Sequence, residues 1–366
     1  MNKLLILVGS NSVHSIRFLN TLSNHFKKIV FISNAINRDL PQNIVTYRVN
    51  FKLTNIFAYK QIAEILREHQ YINQNNNQSL INNGLTIHIH QANSYAYHTI
   101  KAINKFHIKA KIILTTWGSD ILLLPQKSLF LKKMVQYNLN NADLITSDSL
   151  YMSSKIYELI NYKNKDIRTI NFGILELPQQ LHPKQKENII LSNRLHKSLY
   201  QIDKIIDAFD KLIKESQFSN YKLVIAGAGE DTNKLKTLAK DLNLTDQEII
   251  FTGMITYSEL QEWYTKAKIF ISVPKSDATS LSLLEAMAYG CYPILSNLPA
   301  NLEWIINDLN GHICENVNTL HNDIKFVIES INNHEEYNQL ISLNHQLIRN
   351  KADFEININK FLELYD

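Results

Sequence analysis

The chain has 366 residues, too many for one ordinary core, so two domains are expected. Its net charge of +4 and pI near 8.7 are only mildly basic, which without a clustered patch excludes a nucleic-acid partner and suits an acidic ligand or an anionic membrane surface. No run of about eighteen uncharged apolar residues occurs, so no spanning helix is expected, and the two cysteines, Cys291 and Cys314, lack metal-ligand spacing and fit reduced thiols in a cytoplasmic setting.

Along the chain, short apolar runs alternate with helix-periodic segments, the pattern of parallel sheets covered by helices on both faces. The opening MNKLLILVGSNS lacks a signal-peptide cleavage pattern and reads as a first buried strand at 4–9. SIRFLNTLSNHF is helical and KIVFIS a strand. IFAYKQIAEILREHQ is helical, LTIHIHQA a strand, YHTIKAINKFH a helix, AKIILTTWG a strand and ADLITSDS another. The polar stretch NQNNNQSLINNG (73–84) holds too few apolar groups to pack and reads as a solvent loop. Periodicity lapses over GILELPQQLHPKQKEN, where Pro178 and Pro183 mark the linker. Alternation then resumes from NIILSNR to YPILSN. The expected domains are 1–180, 186–345 and a C-terminal helix over 346–366 that packs back on the first. In open α/β sheets ligands sit off the carboxyl ends of the strands, so two facing halves define a cleft.

SDATSLSLLEAMAYG places Asp277 and Glu285 on either side of a helix start near Ser280, Leu281 and Ser282. The free amide groups and dipole of such a start attract anions, and a diphosphate could bind there without a metal. Asp277 could then meet sugar hydroxyls, and Glu285 a ribose. The same residues also fit plain helix capping, with Ser282-x-x-Glu285 as a capping box and Asp277 or Ser280 as a cap. YKLVIAGAGED runs a strand into Gly227 and Gly229, whose missing side chains let backbone approach a phosphate or make a tight turn. Arg194 and Lys197 follow the first strand of the second half, where both could reach phosphate oxygens.

The order strand–Arg–helix, strand–Gly-x-Gly, FTGMITYSELQEWYTKAKIFISVPKSD, then SLLEAMAYGCYPILSN and NGHIC resembles the donor-binding half of family 4 glycosyltransferases of the GT-B fold. The likeness covers about 186–330 well, and the first half more loosely through LILVGSNSVHSIRF, HIHQANSY and TTWGSDIL. Asp277, seven intervening residues and Glu285 are similar to the family's E-x7-E signature with Asp in first place. The resemblance implies that Asp277 contacts the transferred sugar, Glu285 the nucleotide ribose, and Arg194 the diphosphate. It further implies retention at the anomeric carbon, domain closure around the donor, and no metal cofactor.

Two departures stand out. HKSLYQ replaces the Lys-Gly that often follows the Arg, which leaves Lys197 as the substitute cation. Trp117-Gly118-Ser119-Asp120 replaces a His-Gly-x-Asp turn, so the family's histidine is absent there, and His90 or His14 is the local replacement. Candidate catalytic residues are therefore Asp277, Asp120 and His90. Candidates for substrate binding are Arg194, Lys197, Glu285, Ser280, Leu281, Ser282, Gly227, Gly229, Gly9 and His14. Asp120 could equally cap a helix, Trp117 could be core, and Gly9 could be a simple turn. His88 and His90 share a strand face, but no third ligand is spaced to join them in a metal site.

The expected activity moves a sugar from a nucleoside diphosphate, UDP foremost, to a glycan or lipid-linked acceptor in bacterial surface polysaccharide synthesis such as lipopolysaccharide O-antigen. SLFLKKMVQYNL, with Lys101, Lys105, Lys109 and Lys111 before it, is either a solvated helix face or a peripheral contact with anionic lipid at the inner face of the cell membrane. A nucleotide-sugar epimerase on the same plan and a non-catalytic nucleotide-sugar-binding partner are the alternatives.

Overall fold

The computed structural model describes residues 4–36, 39–75, 84–160, 164–183 and 186–366. It divides into two compact units, Met1–Ile170 with Leu362–Asp366, and Asn171–Phe361. Most of the polar stretch expected as a solvent loop, residues 76–83, lies outside the described residues.

Unit 1 runs β1 (Leu4–Val8), α1 (Val13–Ser23), β2 (Lys28–Ser33), β3 (Ile44–Arg48), α2 (Ala58–Asn75), β4 (Leu85–His90) and α3 (Ser94–Phe106). It continues through β5 (Ala110–Thr115), α4 (Ser119–Leu122), α5 (Leu124–Lys127), α6 (Leu129–Asn141), β6 (Leu144–Ser147), α7 (Leu150–Leu159) and β7 (Asp166–Thr169). All strands are parallel, in the order β3-β2-β1-β4-β5-β6-β7. Leu5, Ile6, Leu7 and Val8 are fully buried because helices cover both faces of β1, which is why its sequence is a continuous apolar run rather than an alternating one.

Unit 2 repeats the plan with β8 (Glu187–Ser192), α8 (Ile202–Ile213), β9 (Lys222–Ala226), α9 (Thr232–Asp241), β10 (Ile249–Gly253), α10 (Tyr257–Lys266) and β11 (Ala267–Ser272). It closes with α11 (Leu281–Ala288), β12 (Tyr292–Ser296), β13 (His312–Cys314), α12 (Leu320–Ser330), α13 (His334–Lys351) and α14 (Phe354–Leu362). Its strands are again parallel, in the order β10-β9-β8-β11-β12-β13. Local chemistry sets these helices. Ile202, Ile205, Ile206, Phe209 and Leu212 make the buried stripe of α8, and Thr256 with Glu259 closes a reciprocal capping box on α10.

Two boundaries differ from the expectation. The division falls after Ile170 rather than near 180–186, because Phe172 stacks on Phe361 at 5.4 Å and Ile174 bridges to Asp353, which ties the presumed linker to unit 2. The segment 346–366 is not one returning helix: residues up to Phe361 belong to unit 2, and Leu362–Asp366 belongs to unit 1. There Leu364 and Tyr365 are buried, and the Tyr365 hydroxyl hydrogen-bonds His88 Nδ1 at 2.6 Å.

Candidate active site

In each sheet the strand order reverses beside the first strand of the unit, so two loops diverge from neighbouring carboxyl ends and leave a crevice where α/β folds bind ligands. In unit 2 these are the loops after β8 and β11, and they carry Arg194 and Asp277. The Arg194 Nη2 donates to Asp277 Oδ2 at 2.6 Å, and Nη1 donates to the Ser280 hydroxyl. The guanidinium lies 4.4 Å from the centroid of the Tyr200 ring, a cation–π contact that holds its plane. The side chains of Arg194 and Asp277 are 9% and 20% exposed, so solvent screens the pair little. Burial raises the Asp277 carboxyl above its ordinary pKa, against the opposing pull of Arg194 and the Ala278 amide.

Ser280 is the N-cap of α11 and accepts from the Leu283 amide, so Leu281 opens the helix and its amide end lies beside the Arg194–Asp277 pair. Ser282 therefore sits inside the first turn rather than at the cap. Its hydroxyl meets Asn193 Nδ2 at 3.3 Å. Glu285 is buried and accepts from the Tyr264 hydroxyl at 2.9 Å, and that hydroxyl accepts in turn from Asn193 Nδ2 at 2.7 Å. Burial, then the neighbouring Glu285 charge, pushes the Tyr264 phenol far above its usual range, so it remains a donor that fixes the carboxylate.

Gly227 and Gly229 have a packing reason of their own. A Cβ at Gly227, where φ is +123°, would lie 2.8 Å from the Arg194 carbonyl oxygen, and one at Gly229 would lie 2.5 Å from that of His196. The Gly turn thus lets β9 clasp the loop that presents Arg194. Lys197 follows in the same loop with an exposed side chain.

The equivalent place in unit 1 is built differently. His90 ends β4 with its ring fully buried, 5.1 Å from Phe18, 4.8 Å from His88 and 5.4 Å from Trp117. Burial drives its pKa down to about 3, and Gly9 gives it room, since a Cβ there would meet the His90 Cβ at 3.0 Å. His90, a catalytic candidate, thus has its ring packed among neighbours of its own unit. Asp120, another catalytic candidate, is 3% exposed, and its two oxygens accept from the Ala92 and Trp117 amides at 2.6 and 2.9 Å, which fastens the loop after β4 to the loop after β5. His14, in the first turn of α1, is the exposed member of the group and meets Trp117 edge-on at 5.6 Å. His88 spends its ring nitrogens on Tyr365 and Thr115, and no group of three or more potential metal ligands occurs among the described residues.

Sequence reasoning missed Tyr200, Tyr264 and Asn193. Asn193 directly precedes Arg194 and could have been flagged by adjacency, but Tyr264 lies on another helix, 21 residues from Glu285, and no spacing rule links them.

Two parallel sheets, each with its switch point beside the first strand of its unit, define a protein of the double-Rossmann class. Residues 174–346 match the family model of glycosyl transferases group 1, and residues 3–149 match that of glycosyl transferase 4-like proteins. The chain belongs to this glycosyltransferase family, GT4, with the GT-B fold. It is 34% identical over 153 residues to the alpha-monoglucosyldiacylglycerol synthase of Streptococcus pneumoniae, a match covering 41% of this chain and 33% of that one. It is 24% identical over 208 residues to a serotype-specific mannosyltransferase of Escherichia coli, covering 52% of this chain and 25% of the relative. The matches thus span half or less of the length of the curated relatives. Among solved structures, Anabaena HepE in complex with UDP and glucose aligns with a TM-score of 0.77 at 11% identity, over 100% of this chain and 99% of the other.

Proposed function

We propose that the protein transfers a sugar from a nucleoside diphosphate donor, UDP-linked, to a hydroxyl of a glycan or lipid-linked acceptor in the synthesis of a bacterial surface polysaccharide, with retention at the anomeric carbon. The observation that carries the proposal is the convergence of Arg194, Asp277 and Ser280 at the amide end of α11. In the reaction the bond between the anomeric carbon and the diphosphate oxygen breaks with its electron pair leaving on the diphosphate, while the acceptor hydroxyl oxygen bonds the anomeric carbon on the same face and gives up its proton to the departing diphosphate. Arg194, Lys197 and the first amides of α11 stabilise that growing charge, with no divalent cation assigned a part. Asp277 takes hydroxyls of the moving sugar, and Glu285, braced by Tyr264, takes the ribose. The UDP donor agrees with the ligand named for HepE, and a lipid acceptor agrees with the name of the alpha-monoglucosyldiacylglycerol synthase.

A peripheral contact with anionic lipid belongs to the same proposal. Between residues 69 and 142 the chain carries seven lysines and one acid, Asp120, which is buried. Leu129 and Phe130 are 69% and 62% exposed at the start of α6, beside exposed Lys127, Lys132 and Lys133. No described helix is long and apolar enough to cross a membrane. We assign the protein to the cytoplasmic face of the cell membrane on this basis.

A thermal-shift panel of nucleotide sugars tests the donor, because a ligand of the folded state alone raises the melting temperature. A shift with one UDP-sugar, followed by transfer that Asp277→Ala abolishes without lowering the melting temperature, is the expected result. A product formed from donor alone, or full transfer by Asp277→Ala, would overturn it.

A further inference from the structure

Arg194 is already committed within the fold. Its two terminal nitrogens bond Asp277 and Ser280, and Tyr200 covers one face of its guanidinium. A phosphate accepts from the N–H groups of this fork, and of its two terminal nitrogens Nη2 is held by Asp277 and Nη1 by Ser280, the N-cap of α11. Asp277 is in turn fixed by the Ala278 amide on its other oxygen, at 3.1 Å. A diphosphate arriving at α11 therefore meets a carboxylate bonded to the cation it needs. The two anions cannot share Nη2 without close repulsion in a place where water screens little.

Resting on the nucleotide-sugar reading of this site, we propose that Asp277 is an internal competitor for the diphosphate, which makes the site discriminate donor from spent nucleotide. When a nucleotide sugar binds, its diphosphate takes Arg194, and its sugar hydroxyls take the carboxylate that Arg194 has released. After transfer the remaining nucleoside diphosphate offers no hydroxyl there. Asp277 then swings back to Arg194 and weakens the hold on the product. No bond is made or broken in this exchange; one ion pair replaces another. Ser280 and Tyr200 keep the guanidinium in place throughout, so the pair can break and reform without the arginine leaving the crevice.

Titration calorimetry on the full chain with UDP, GDP and the matching monophosphates tests the exchange. Asp277→Asn should bind the preferred diphosphate about ten-fold more tightly than the unaltered chain, the scale of a poorly screened charge pair, and the monophosphate with less than about two-fold change. A double-mutant cycle separates exchange from general repulsion. In an Arg194→Ala background the gain from Asp277→Asn should vanish, whereas a gain that persists there overturns the proposal in favour of simple like-charge repulsion. Asp277→Ala replaces the Asn variant in the cycle if the latter does not melt cooperatively. A diphosphate bound by the unaltered chain but no more tightly by either Asp277 variant overturns the exchange alone. If no form binds UDP or GDP, the nucleotide-sugar reading falls, and the exchange falls with it.

Discussion

The switch points of the two sheets share one topology and hold opposite chemistry. Unit 2 places an ion pair there, Arg194 with Asp277, and backs it with a phenol-braced carboxylate. Unit 1 places rings there, His90 packed against Phe18, His88 and Trp117, with Asp120 consumed by backbone amides. The doubly wound plan delivers two strand ends to one point in either case. What that point can bind is set by the side chains on the loops, and in unit 2 these include an arginine, a cation suited to phosphate.

The contrast can be broken most severely at Arg194. Arg194→Ala should reduce steady-state transfer on the order of a thousand-fold, as loss of a main oxyanion partner does, while His90→Phe should leave transfer within about three-fold and cost about 1–3 kcal/mol of stability from overpacking. Comparable activity losses in the two variants would erase the distinction between a reacting and a structural switch point.

The second test uses protons. The His90 pKa lies near 3 in the fold against 6.5 for the free side chain. The unfolded chain therefore binds more protons between these values, and stability must fall as pH drops from about 6.5 toward 3. At pH 5 the contribution of this one ring is a loss of about 2 kcal/mol relative to neutral pH. Urea melts at pH 5.0 and 7.5 should show that extra loss in the unaltered chain and its absence in His90→Phe; equal pH sensitivity would mean His90 is not the neutral, buried ring described.

A third, smaller effect sharpens unit 2. Tyr264→Phe removes the donor to Glu285 and should raise KM for the donor about ten-fold with little change in kcat. A fall in kcat instead would put Glu285 in the reaction rather than in ribose binding.

The smallest lies away from both sites. Burial alone would lower the pKa of His312, but Asp323 and Asp308, at 2.8 and 2.6 Å from its ring nitrogens, outweigh that and raise it. Its stabilisation is thus complete below the unfolded value of 6.5 and is lost as pH rises through the higher folded value. His312→Asn should lower stability by roughly 1 kcal/mol at pH 6 and by less at pH 9, in thermal melts across that range.

How much of this was legible follows from what each signal depends on. Continuous apolar runs such as LLILV and KIFIS mark doubly covered strands whatever their partners, so the alternation and the parallel sheets could be read directly. Asp277 and Glu285 stood out because a helix start imposes local spacing. The burial of His90 and Asp120 was not legible, since it depends on Phe18, Trp117 and two backbone amides brought in by other elements. Nor could the Gly227–Gly229 turn be assigned: its purpose is the neighbouring carbonyl oxygens of Arg194 and His196, which no local pattern announces. Pro178 and Pro183 pointed to a linker, but the Phe172–Phe361 stack, a pairing across the whole of unit 2, moved the boundary.

The bond between His88 and Tyr365 joins residues 277 positions apart, and the intervening chain contains all of unit 2. During synthesis on a ribosome the amino-terminal sheet therefore emerges early but waits, with the partner of a core imidazole missing, until its neighbour has been translated in full. Its completion is a late event, so a nascent chain stalled before residue 362 would expose an unfinished first unit to chaperones and proteases even while the second could already be folded.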